Sequence, residues 1–153
     1  MNVKNVVQKQ YQRLVDSAVS YSSLRTPPEG WLRTVRKALG MSGAQLARKM
    51  GVTRARIAQA EQAELSGGAT IKSMQAVAEA MGCRFVYAIV PDRRIEEVIL
   101  AQARKKALAI VGTASVHMAL ENQALRKDEI SKEVDRLTHE IVRTMPPDFW
   151  NDQ

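Results

Sequence analysis

The sequence predicts a mainly α protein: a helix-turn-helix domain, one short β-strand after it, and a C-terminal helical extension. Three observations carry this. Residues 42–61 read as two short capped helices around a tight turn. Elsewhere the apolar residues recur at helical spacing. Only residues 84–90, RFVYAIV, alternate as a strand does. The expected organisation is an N-terminal helix in 1–25, the helix-turn-helix and its strand in 26–91, and a helical partner-binding region in 92–153.

The central stretch is SGAQLARKMGVTRARIAQAE. Ser42 is a helix N-cap, and Gln45 three positions on completes a capping box. Leu46, Ala47 and Met50 fall on one face. Gly51 supplies the positive φ that ends the first helix, and Val52 is a buried turn residue. Thr53 caps the second helix, whose inward face is Ile57, Ala60 and Ala63. In this plan the second helix enters the DNA major groove. Its outward positions are Arg54, Ala55, Arg56 and Gln59. Arginine reads guanine O6 and N7 in a bidentate way, and glutamine reads adenine N6 and N7. Ser42 and Thr53, at the two helix starts, complete the local set of candidate DNA contacts.

Before this stretch, residues 3–20 read as a helix with an uneven apolar stripe. Thr26-Pro27-Pro28-Glu29 announces another, with Thr26 as N-cap, Pro27 at the first helical position and Glu29 closing a capping box. Trp31, Leu32, Val35 and Leu39 form its expected buried face, and Arg33, Arg36 and Lys37 point outward. After the recognition helix, Ser66-Gly67-Gly68 is a loop and Thr70 caps a helix that buries Ile71, Met74, Val77, Ala78 and Met81. Lys72 and Ser73, in its first turn, are candidate phosphate contacts beside free backbone N–H groups.

A single strand cannot satisfy its own backbone groups. No second convincing strand exists in the chain, so residues 84–90 are expected to pair with the same strand of a second subunit as a two-fold homodimer. From Asp92 a long helical stripe runs to Val111, where Gly112 is expected to interrupt it. A further helical piece covers 114–125. The last helix is regular, with Ile130, Val134, Leu137 and Ile141 on one face, and Pro146-Pro147 ends it.

Composition narrows the function classes. Residues 1–91 carry 13 Lys and Arg against 5 Asp and Glu, and residues 92–153 carry 10 against 11. The positive excess thus travels with the helix-turn-helix, as phosphate binding requires. The balanced second half suits a protein partner. Cys83 is the only cysteine, which excludes an internal disulfide and fits a reducing, cytoplasmic setting. No charged-then-apolar signal pattern is read in its first residues, and no apolar run has membrane-spanning length. Two histidines and one cysteine offer no metal site, and no paired acid and base, nucleophile or phosphate loop is present. The chain is therefore read as a non-enzyme needing no cofactor. A pure protein-interaction module is the alternative, but such a scaffold does not need Arg54, Arg56 and Gln59 outward.

Residues 28–81 resemble the Xre/lambda-repressor class of helix-turn-helix domains. PPEGWLRTVRKALGMS, TIKSMQAVAEAMGC, RFVYAIVP and HMALENQ are similar to the family called mobile mystery protein A. That resemblance implies a DNA-binding regulator of its own operon, paired with a Fic-domain protein as the antitoxin of a toxin–antitoxin module. Fic proteins transfer AMP from ATP to hydroxyls, and their inhibitory helix carries (S/T)xxxE(G/N). Glu121-Asn122 fits the end of that motif. The position four before Glu121 is His117, not Ser or Thr. The resemblance thus implies Glu121, Asn122 and His117 as the partner-inhibiting residues; a simple repressor with no Fic-inhibitory activity is the further alternative.

Overall fold

A computed structural model describes residues 2–120 and 126–152 of the chain. It contains seven α-helices among these residues: α1 Val3–Asp16, α2 Trp31–Ala38, α3 Gly43–Met50, α4 Arg54–Ser66, α5 Ile71–Ala80, α6 Ile95–Leu120 and α7 Lys127–Thr144. A 3-10 turn, Ser17–Tyr21, follows α1. The chain divides into two compact units, one of Met1–Val19 with Val90–Gln153, the other of Ser20–Ile89.

The unit Ser20–Ile89 holds α2 to α5. Leu32, Leu46, Ala47, Ile57, Met74, Val77 and Met81 form its core, one or more from each helix. Leu46 is wholly buried and Ala47 nearly so, and the small side chain at 47 lets the neighbouring helix approach closely. The caps of α3, α4 and α5 form as their local sequences dictate. Ser42 Oγ accepts from Gln45 N at 3.1 Å while Gln45 Oε1 accepts from Ser42 N at 2.7 Å. Gly51 is left-handed at φ 66° and ends α3. Thr53 and Thr70 accept from Arg56 N and Ser73 N.

The start of α2 differs from expectation. Pro27 to Gly30 is a turn, closed by Gly30 N donating to Pro27 O at 2.9 Å, and the helix begins only at Trp31. Glu29 does not close a capping box. It pairs with Lys37 at 2.9 Å. Trp31 lies outside the core at 38% exposure, and Leu39 is also exposed. Both sit at the ends of α2, Trp31 as its first residue and Leu39 as its C-cap, which leaves Leu32 as the buried residue of the helix. Ile71, at the first position of α5, is exposed for the same end-of-helix reason.

No strand occurs among the described residues. Residues 84–90 have no second strand to pair with, and none of their backbone groups bonds to another backbone group in the described chain. Phe85 packs against the helical core and stacks on Tyr87, with centroids 6.0 Å apart. Val86, Tyr87 and Ile89 stay in solvent.

In the other unit α7 packs along α6. Ile99, Ala103, Ala107 and Val111 of α6 meet Val134 and Ile141 of α7 and Phe149 beyond it. The fourfold spacing on α6 and the two wholly buried alanines make the approach close. Gly112 does not interrupt α6, which runs on to Leu120. After Pro146-Pro147 the chain turns back onto α6. Phe149 is 2% exposed, and its carbonyl accepts from Gln102 Nε2 at 2.9 Å. Lys105 pairs with Asp152 at 2.7 Å, which holds the Asp152 carboxyl below the usual carboxylate range. No helix among the described residues is long and apolar enough to cross a membrane.

Candidate nucleic-acid interface

α4 has two unlike faces. Its inward stripe begins with Ile57 and continues, at helical spacing, with Ala60, Glu61 and Glu64. The two carboxylates grip α2. Arg36 donates through Nε to Glu61 Oε1 at 2.5 Å and through Nη2 to Glu61 Oε2 at 3.2 Å. Its third contact is Nη1 to Met41 O at 3.0 Å, on the turn leading into α3. Both side chains of the pair are about one-eighth exposed, so the fork is formed in a low-dielectric setting where it is strong. The Glu61 carboxylate holds the Arg36 guanidinium above its usual range.

Glu64 accepts from the backbone N–H groups of Trp31 at 2.6 Å and Leu32 at 3.0 Å. It thereby does what Thr26 was expected to do, from a distant part of the chain. The cap also explains Gly30. Its φ is +81°, and a Cβ there would lie 2.7 Å from Glu64 Oε2. Arg36 was expected to point outward and is instead turned inward. The available signal was the placement of two acids, Glu61 and Glu64, on the inward stripe of α4, where a buried charge needs a partner.

The opposite face of α4 is open. Arg54, Ala55, Arg56 and Gln59 are all exposed. Arg54, Arg56 and Lys72 make no ion pair among the described residues. Arg54 borders a groove of about 480 Å³ that also takes in Ser42, Gly43 and Arg33. Arg56 borders a second groove, about 420 Å³, with Thr70, Lys72 and Ser73. The two arginines therefore flank the exposed strip of α4, one toward the start of α3 and the other toward the start of α5. Successive residues of a helix turn by about 100°, which places positions 54 and 56 on opposite flanks and 55 and 59 between them.

The remaining candidates are placed as follows. Ser42 and Thr53 are exposed and serve as caps. The Ser73 hydroxyl donates to Thr70 O at 3.0 Å, so its donor is spent within the turn. Lys72 is exposed beside the N-terminal amides of α5. His117 is exposed on α6. Glu121 and Asn122 lie outside the described residues. No group of His, Cys, Asp and Glu able to hold a metal ion occurs among the described residues.

Neither curated proteins nor solved structures give a significant match to the chain. The family model described as Helix-turn-helix matches residues 32–87, from the start of α2 through the segment beyond α5, and it supports a DNA-binding transcription regulator of the Xre/lambda-repressor-like kind.

Proposed function

We propose that this chain is a sequence-specific DNA-binding regulator that presents the N-terminal half of α4 to the major groove. The observation that carries the reading is the asymmetry of α4. One face is held to α2 through Glu61 and Glu64, while the other leaves Arg54, Arg56 and Gln59 exposed and, among the described residues, unpaired. A scaffold has no use for two unpaired arginines on a rigid helix. Arg54 and Gln59 are assigned to base edges, with Ala55 small enough to admit a thymine methyl. Arg56 shares its groove with Lys72 at the start of α5, which suits a phosphate better than a base.

The test is a salt-controlled titration against an operator selected from a random DNA pool and against unselected DNA. Arg54→Ala should lower preference for the operator by about 1–3 kcal/mol. Lys72→Ala should weaken both DNAs about equally and reduce the salt slope by about one. Arg56→Ala should behave like Lys72→Ala. Full specificity retained by Arg54→Ala would remove the groove assignment.

Two finer statements belong to the same reading. A regulator of this kind spans two half-sites as a homodimer, and pairing of residues 84–90 between copies would give backbone partners to groups that have none among the described residues. The antitoxin role rests on the resemblance of HMALENQ and its surroundings to the family with Fic partners. Under it, Glu121→Gly should release AMP transfer by a copurified Fic protein while the complex stays assembled. Equal inhibition by wild type and variant would take Glu121 out of the mechanism.

A further inference from the structure

The N-terminal helix is oriented against its own amphipathicity. The side of α1 turned toward its unit carries polar residues. Gln8, half-buried, donates through Nε2 to Met145 Sδ at 3.1 Å, and Asp16 Oδ1 accepts from Ile95 N at 3.0 Å, beside the start of α6. Gln12 is half-buried on the same side. The apolar stripe is left outside. Val3 is 77% exposed, Tyr11 66%, Leu14 70% and Val7 40%, and no residue of α1 is buried. An isolated apolar residue in solvent is ordinary, but four in register along one helix form a surface that another element normally covers.

We propose that this stripe is a self-association surface on which α1 of a second copy packs in antiparallel orientation. Three features select a second copy as the occupant. The stripe is nearly the same read in either direction, with spacings of four, four and three. Antiparallel pairing therefore sets Val3 of one copy near Leu14 of the other, and Val7 near Tyr11. Such self-complementarity is what a two-fold interface demands.

The charges permit it as well. Lys4 is the one charged residue bordering the stripe, because Lys9 and Arg13 fall on other sides of the helix at 100° per residue. In the antiparallel pair the two Lys4 side chains lie at opposite ends and do not repel. The four side chains form one continuous apolar strip along the helix, the kind of surface a partner element covers. This surface is separate from residues 84–90, and the proposal stands whether or not those residues pair between copies.

The experiment is sedimentation equilibrium of the full chain at micromolar concentration, comparing the parent with Val7→Lys plus Leu14→Lys. Both positions are exposed, so the double variant keeps its helix content by circular dichroism. The expected result is that its mass is half that of the parent. Leu108→Lys, on the exposed side of α6, should leave the parent mass unchanged. Val86→Pro reports separately on the 84–90 pairing. A mass that halves with the α1 variant and not with Val86→Pro supports α1 and removes the strand pairing, and the reverse overturns α1. As a second readout, Val7→Cys plus Tyr11→Cys in a Cys83→Ser background should oxidise to a covalent dimer. A parent that is monomeric throughout, or a double variant with the parent's mass, overturns the proposal and leaves the stripe to a different protein.

Discussion

Removing the Arg36 side chain tests how firmly α4 is positioned. Arg36→Ala deletes two bonds to Glu61 and one to Met41 O, and it leaves the Glu61 carboxylate, about one-eighth exposed, without its ion-pair partner. Breaking a buried pair on one side costs about 3–5 kcal/mol, mostly because a desolvated charge is stranded. The partial exposure puts this pair near the low end, about 3 kcal/mol. For a unit of this size, with a slope of about 1–1.5 kcal/mol per molar urea, the midpoint of unfolding should fall by about 2 M or more.

The double variant Arg36→Met with Glu61→Leu strands no charge, and it should recover most or all of that loss. Arg36→Lys keeps the charge but cannot form the planar fork, so it should fall between the two. The assay is urea unfolding followed by tryptophan fluorescence, with Trp31 at the start of α2 reporting on this unit. A loss below about 1 kcal/mol for Arg36→Ala would mean that water screens the pair as it screens a surface bridge. A double variant less stable than the single one would show that Glu61 is not the group being stranded. Either result would show that a desolvated Arg36–Glu61 pair does not hold α4 to α2.

Two other predictions concern the unit that contains α6 and α7. Phe149→Ala removes a ring that is 2% exposed and should cost about 3–5 kcal/mol, read as a loss in calorimetry of the Val90–Gln153 part of the transition, with the melting of the Ser20–Ile89 unit unchanged. Gly112→Ala should raise the melting temperature of that unit by stabilising it about 1 kcal/mol, since Gly112 sits inside α6 and an added Cβ would meet nothing within 4 Å. A lowered melting temperature would mean that the bare backbone at 112 has a packing partner.

What the sequence determined by itself is the caps and the turn of the helix-turn-helix, each settled within about four residues. The helix-turn-helix was legible because Ser42 with Gln45, Gly51, Thr53 and Thr70 each satisfy or release backbone groups next to them in the chain. The buried faces of α3, α4 and, apart from the exposed Ile71, α5 followed from apolar periodicity, as did the stripe of α7. Tertiary structure decided the rest. The start of α2 looked like a local capping box, yet Glu64, 32 residues from Leu32, supplies the carboxylate instead. Arg36 read as a surface residue because nothing nearby in sequence reveals that Glu61 faces it across two helices. Residues 84–90 have a strand's composition, but a strand exists only through a partner's backbone, and the described chain offers none. The facing of α1 was equally hidden. Its apolar stripe is plain in the sequence, but only packing shows that Gln8, Gln12 and Asp16 turn toward the protein while the stripe stays in water. Periodicity states which residues share a face, and the neighbouring elements decide which face is covered.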